Sequence, residues 1–269
     1  MSESNSNDLT IHEITITKDI TLSYYFSKGT TDFTIVLIHG LGATKEDFLS
    51  IFNYEELSTY NILFADLVGY GNSTKPSDFS YKMDDQAEIL YELLKKLKIE
   101  GEIVILAHSM GGPISIELAN LLGDRVAGMI YAEGNLDEGD CFFSKQIVTR
   151  YTLDEWISNG FNEILTKLQE DPASTSYAES FAKAEVHAIY KSSEDLYQIS
   201  IANLLEKKLK QLSVPVLAIF GEKNKGRFSS ESKLAAEFPV CYISEAEHAM
   251  MYDNPDDFYQ AIIDFLKQF

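Results

Sequence analysis

The segment IVILAHSMGGPI sets Ser109 between a run of buried-strand residues and a helical stretch that opens on glycine. Small residues, Ala107 and Gly111, stand two positions before and after it. A serine so placed sits on a sharp, strained turn, and bulk at either flank would collide with the neighbouring backbone. The pattern is a nucleophile elbow, and its chemistry is attack by a serine hydroxyl on an electrophilic carbon. Ala107 stands where glycine is usual, a mild departure. Such a hydroxyl needs a base to take its proton and a carboxylate to orient that base. The chain offers five histidines, at positions 12, 39, 108, 187 and 248, and 42 acidic residues to choose from. Cys141 and Cys241 are too few and too far apart for a disulfide framework or a clustered zinc site, and read as buried thiols.

The elements that must position Ser109 follow an alternating order. Residues 11–17 and 20–26 carry the period-2 pattern of half-exposed antiparallel strands. Residues 33–39, 61–66, 102–108, 126–133 and 215–221 are short, continuously apolar and β-branched, as strands buried on both faces are, and a further strand is expected near 239–243. Helical patterns at 83–98 and 111–122 lie between them, so right-handed crossovers build a mostly parallel sheet of eight strands flanked by helices. The rhythm breaks between about 134 and 206, where no buried strand occurs. Thr152 and Glu155 form a capping box for a helix to about 168, and 174–190 and 194–207 also read as helical. This predicts an all-helical insertion: core 1–133, cap 134–206, core 207–269, with a closing helix from Pro255 to Phe269. The opening MSESNSND is polar, has no apolar signal region and reads as a frayed end.

With the elbow in this context, the chain resembles the α/β-hydrolase fold family from the first strand pair to the last helix. Two further motifs support the likeness. His39-Gly40-Leu41-Gly42, after the strand at 33–39, is similar to the family's oxyanion loop. Asp66-Leu67-Val68-Gly69-Tyr70-Gly71-Asn72-Ser73 resembles its D-x-x-G-x-G-x-S loop and reads as structural. The resemblance implies that the backbone N–H groups of Leu41 and Met110 bind a developing oxyanion, aided by the positive end of the helix that follows. It also implies a late catalytic histidine. His12 lies in a peripheral strand, His39 in the oxyanion loop and His187 in the insertion, and strand alternation turns His108 away from Ser109. His248, between a short strand and the final helix, is the base expected.

Many members carry the acid in a G-x-x-D pattern after the strand that follows the cap, but here GEKN places Asn224 there. An amide cannot supply the charge that stabilises an imidazolium. Some members, resembling the haloalkane dehalogenases in this respect, take the acid from the end of the preceding strand, where this chain has Glu133. Glu222 and Asp137 are the alternatives. The expectation is a serine hydrolase, carboxylesterase-like, in which Ser109, His248 and Glu133 cleave an ester, amide or thioester of a small, largely apolar molecule. His39, Phe142, Phe143 and Trp156 are pocket candidates, and no metal or cofactor is implied. Carbon–carbon bond hydrolase, lyase and cofactor-free haloperoxidase-like chemistry, or a non-catalytic receptor, are rivals on the same scaffold. A formal charge of −20 repels nucleic acid and anionic membrane surfaces, so neither is expected as a partner. A cytoplasmic monomer or homodimer is expected.

Overall fold

The computed structural model describes residues 10–269, so the opening stretch read as a frayed end lies outside the described residues. Eight strands form one sheet: β1 (His12–Thr15), β2 (Thr21–Ser27), β3 (Thr34–Ile38), β4 (Asn61–Ala65), β5 (Ile103–His108), β6 (Val126–Ala132), β7 (Val216–Gly221) and β8 (Val240–Ile243). Their order is β1-β2-β4-β3-β5-β6-β7-β8. The first two pairings, β1 with β2 and β2 with β4, are antiparallel, and every later pairing is parallel. The helices are α1 (Met83–Lys96), α2 (Gly111–Leu122), α3 (Phe142–Arg150), α4 (Leu153–Glu155), α5 (Phe161–Glu170), α6 (Thr175–Ala182), α7 (Val186–Ile201), α8 (Leu205–Gln211), α9 (Ser229–Ala235), α10 (Met250–Asp253) and α11 (Pro255–Leu266).

The apolar runs divide between two cores because successive strand side chains alternate. Val104 and Leu106 of β5 join Phe48, Met250, Phe258 and Ile262 on one face, whereas Ile105 and Ala107 join Leu90, Ile114 and Leu118 on the other. The strand at β2 is more buried than its alternating pattern suggests, since it lies inside the sheet between β1 and β4. Cys141 is buried, Cys241 on β8 only partly so, and neither is bridged.

Between β6 and β7 the chain runs through α3 to α8, with α8 crossing position 206. The Thr152–Glu155 capping box forms as expected, but a π-helical turn at Trp156–Gly160 separates α4 from α5. The helices expected at 174–190 and 194–207 divide elsewhere. The break falls at 183–185, where Glu185 N–H donates to Gly69 O at 2.7 Å and docks the chain on the core. No break follows Tyr190, because Ser192 and Ser193 are fully buried inside α7 and Ser192 Oγ donates to Tyr81 O at 3.1 Å. Three more bonds tie α7 to the same stretch. Lys191 Nζ donates to Ser77 O and Phe79 O, each at 3.1 Å, and Asp195 accepts the Met83 N–H at 2.9 Å, capping α1 from another helix.

Candidate active site

The carboxyl ends of β3, β5, β6 and β7 converge, the edge of a parallel sheet where ligands gather. At the end of β5, Ser109 has φ 54°, a left-handed backbone that a side chain adopts only when its surroundings enforce it. Its N–H donates to Ala132 O at 3.1 Å, and its carbonyl accepts the N–H groups of Gly112 and Asn135 at 2.8 and 3.2 Å. Gly111 is required by space, for a Cβ there would stand 2.6 Å from Ile38 O.

At the end of β6, Glu133 is 2% exposed and also left-handed, at φ 41°. Its Oε1 accepts the Gly221 N–H at 2.8 Å, and Asn224 Nδ2 donates to both carboxylate oxygens at 3.1 Å. Its Oε2 lies 2.5 Å from His248 Nδ1. A carboxylate only accepts, so His248 carries its proton on Nδ1 and presents a free Nε2 lone pair. Neither alternative acid reaches His248. Glu222 is exposed and accepts Glu245 N–H at 3.2 Å. Asp137 caps the turn at 138–140 and pairs with Lys233 Nζ at 2.8 Å. Burial raises the Asp137 carboxyl, but its bonds to Lys233 and Ser229 outweigh burial and hold it below its usual value.

The loop after β3 lies against the elbow: a Cβ on Gly40 would stand 3.1 Å from Ser109 Cβ and 3.5 Å from its Oγ. Tyr177 of α6 donates its hydroxyl to Leu41 O at 2.8 Å. Met110 precedes α2, so its N–H has no acceptor within that helix.

Two expectations need correction. His39 is 1% exposed, and its two ring nitrogens are taken by the backbone, Nδ1 with Gly40 O at 2.8 Å and Nε2 with Leu67 N–H at 3.0 Å. It therefore orients the Gly40–Leu41 peptide and offers no nitrogen to a substrate. Burial lowers its pKa and favours the neutral ring. Trp156 is fully buried, donates its indole N–H to Val186 O at 2.9 Å and packs edge-on to Phe161, so it fills the core of the insertion. His108, set aside by alternation, reaches the catalytic candidates from the side. Its Nε2 bonds His248 O at 2.9 Å, its ring centre is 4.5 Å from that of His248, and burial pushes its pKa down to about 3.

The other aromatic candidates differ from one another. Phe142 is 57% exposed, with its ring centre 5.9 Å from both His248 and Phe228. Phe143 packs at 6.3 Å on Tyr177 and 6.2 Å on Phe181, within the insertion.

Residues 34–212 match the α/β hydrolase fold family. The chain belongs to that family. It is 32% identical over 117 residues to Lipase 3 of Moraxella sp. (strain TA144), a match covering 44% of this chain and 36% of the lipase. The chain thus spans about a third of the length of the curated lipases it matches first, since a match to Lipase 1 of Psychrobacter immobilis also covers 36% of that protein. Among solved structures, a carboxylesterase study of Nitrososphaera gargenis gives a TM-score of 0.78 at 19% identity, covering 95% of this chain and 98% of that one. At that identity the likeness shows the fold.

Against the usual family pattern, two residues carry unexpected contacts. Asn224 lies 91 positions from Glu133 in sequence and meets it only because β6 and β7 are neighbours. The signal was the missing Asp itself: an amide at that place invites the question of which carboxylate it serves. His108 left no such trace, because its partner is a backbone carbonyl 140 residues away.

Proposed function

We propose that this protein is a serine hydrolase that cleaves an ester, amide or thioester of a small, largely apolar substrate through Ser109, His248 and Glu133. The observation that carries the reading is the 2.5 Å contact between Glu133 Oε2 and His248 Nδ1. Ser109 Oγ attacks the acyl carbonyl as its proton passes to His248 Nε2, and Glu133 stabilises the imidazolium. The N–H groups of Leu41 and Met110 hold the tetrahedral oxyanion. His248 returns the proton to the leaving group, a water then repeats the attack on the acyl-enzyme, and the acid departs. No hydrogen bond joins Ser109 Oγ to His248 among the described residues, and bonds of this kind tighten in the substrate complex.

The lipase relatives and the exposed Phe142 beside His248 support an apolar group on the substrate. The net charge of −20 opposes a strongly anionic one. In this reading residues 134–206 act as a helical cap, and the unbridged cysteines suit a cytoplasmic setting for a monomer or homodimer. Among the described residues no helix is long and apolar enough to cross a membrane.

A fluorophosphonate probe tests the reading, because it labels only an activated serine. Labelling that disappears in Ser109→Ala, with turnover across p-nitrophenyl esters and thioesters of graded chain length, is the expected result. An unlabelled wild type that turns over none of them would return the protein to the receptor class.

A further inference from the structure

We propose that Asn224 is the positioning residue of the acid, its side-chain amide fixing the Glu133 carboxylate so that Oε2 points at His248 Nδ1. This rests on the reading in which Ser109, His248 and Glu133 do the chemistry. Glu133 accepts four hydrogen bonds from three groups: the Gly221 N–H on Oε1, the His248 Nδ1–H on Oε2, and the Asn224 amide on both oxygens. Gly221 alone would leave the carboxyl plane free to turn about its last torsion, which is broad for glutamate. The amide removes that freedom by touching each oxygen at 3.1 Å.

The orientation of the amide is itself determined. An ionised carboxylate accepts only, so the nitrogen must face it, and Arg227 Nη1 donates at 3.4 Å to the oxygen on the other side. Asn224 is 6% exposed, so water does not readily replace it. The reach of glutamate explains why the amide is needed. A longer side chain delivers the charge across from β6, and the residue after β7 no longer has to carry it. An aspartate at 224 beside Glu133 would press two carboxylates into contact, and they could not both ionise readily. The two positions are therefore one acid–amide pair in which only one member can hold the charge.

The test uses Asn224→Leu, Glu133→Gln and the double variant Glu133→Gln with Asn224→Asp in the full chain. It reads ester kinetics and the low-field Nδ1 proton resonance of His248. Loss of a buried bond to a charged group should lower kcat in Asn224→Leu by roughly 10–10²-fold, with KM within about threefold. The His248 resonance should broaden or vanish there, which a merely structural loss elsewhere would not cause. Moving the charge to 224 should recover at least about fivefold of the activity lost in Glu133→Gln, because a carboxylate at 224 restores a negative charge close to His248. The proposal is overturned if Asn224→Leu keeps wild-type kinetics and an unchanged resonance. Should that variant fail to fold, a double variant no better than Glu133→Gln overturns it equally. A wild type without turnover would sink the hydrolase reading alone, since the resonance is read in the resting protein and still decides the role of Asn224.

Discussion

At the ends of β6 and β7 the proposed acid is held by bonds to its own charge, whereas at the ends of β3 and β5 the proposed oxyanion donors are held by neutral bonds and close packing. Glu133 gathers its donors within 3.1 Å and depends on their chemistry more than their volume. The loop at 39–42 depends on neutral bonds from His39 and Tyr177 and on close approach. A Cβ on Gly42, at φ 71°, would stand 2.6 Å from Phe181. Charge-assisted bonds are shorter and roughly twice as strong as neutral ones, so the first region should fail when charge is removed at constant shape. The second should fail when shape changes at constant charge.

The largest effect belongs to the residue both regions serve. Ser109→Ala should lower ester turnover by roughly 10⁴-fold or more with an unchanged melting curve, and activity within about tenfold of wild type would remove Ser109 from the mechanism. Glu133→Gln keeps the shape and removes the charge, and should cost roughly 10²–10⁴ in kcat with little change in KM. If it proves nearly silent, the charge-based account of that region is wrong. On the other side, Tyr177→Phe deletes one neutral bond to Leu41 O, worth about 0.5–1.5 kcal/mol, and should lower kcat by about two- to tenfold. A loss comparable with Glu133→Gln would erase the contrast between the regions.

A separate effect concerns stability rather than turnover. His108 is buried beside the elbow with a pKa of about 3, below its ordinary value near 6.5. A depressed folded pKa means that the unfolded chain binds the proton more readily, so the neutral ring contributes stability above pH 6.5 that drains away toward pH 3. The unfolding free energy from urea titrations over that range should fall less steeply in His108→Gln, by up to about 1.4 kcal/mol per pH unit. Parallel curves for the two proteins would show that His108 does not titrate with unfolding.

The sheet and the elbow were legible because their signals are local. Ile103–Ala107 is an unbroken apolar run, and Gly111 answers a clash two residues from the serine. The insertion was legible as helical but not in its divisions. Helices were expected at 174–190 and 194–207, yet Ser192 and Ser193 are buried and the bond from Ser192 to Tyr81 accompanies an α7 that runs straight through. Trp156 and Phe142 looked equivalent in sequence, since an aromatic side chain does not announce whether it faces a core or a cleft. One is fully buried and the other 57% exposed. His39 misled for a different reason: a histidine beside a site suggests chemistry, whereas both of its nitrogens are spent on backbone.

The docking of α7 limits how this molecule can be rearranged. Through Lys191, Ser192 and Asp195 that helix completes the turns at 77–83 and caps α1, so the insertion is bonded to a part of the core more than a hundred residues away in sequence. Amide exchange at Met83 should then follow the opening of α7 rather than fraying of α1 alone. A chimera that takes residues 134–206 from a relative would strip α1 of its cap unless residues 77–83 travelled with them, so the insertion is not an interchangeable module.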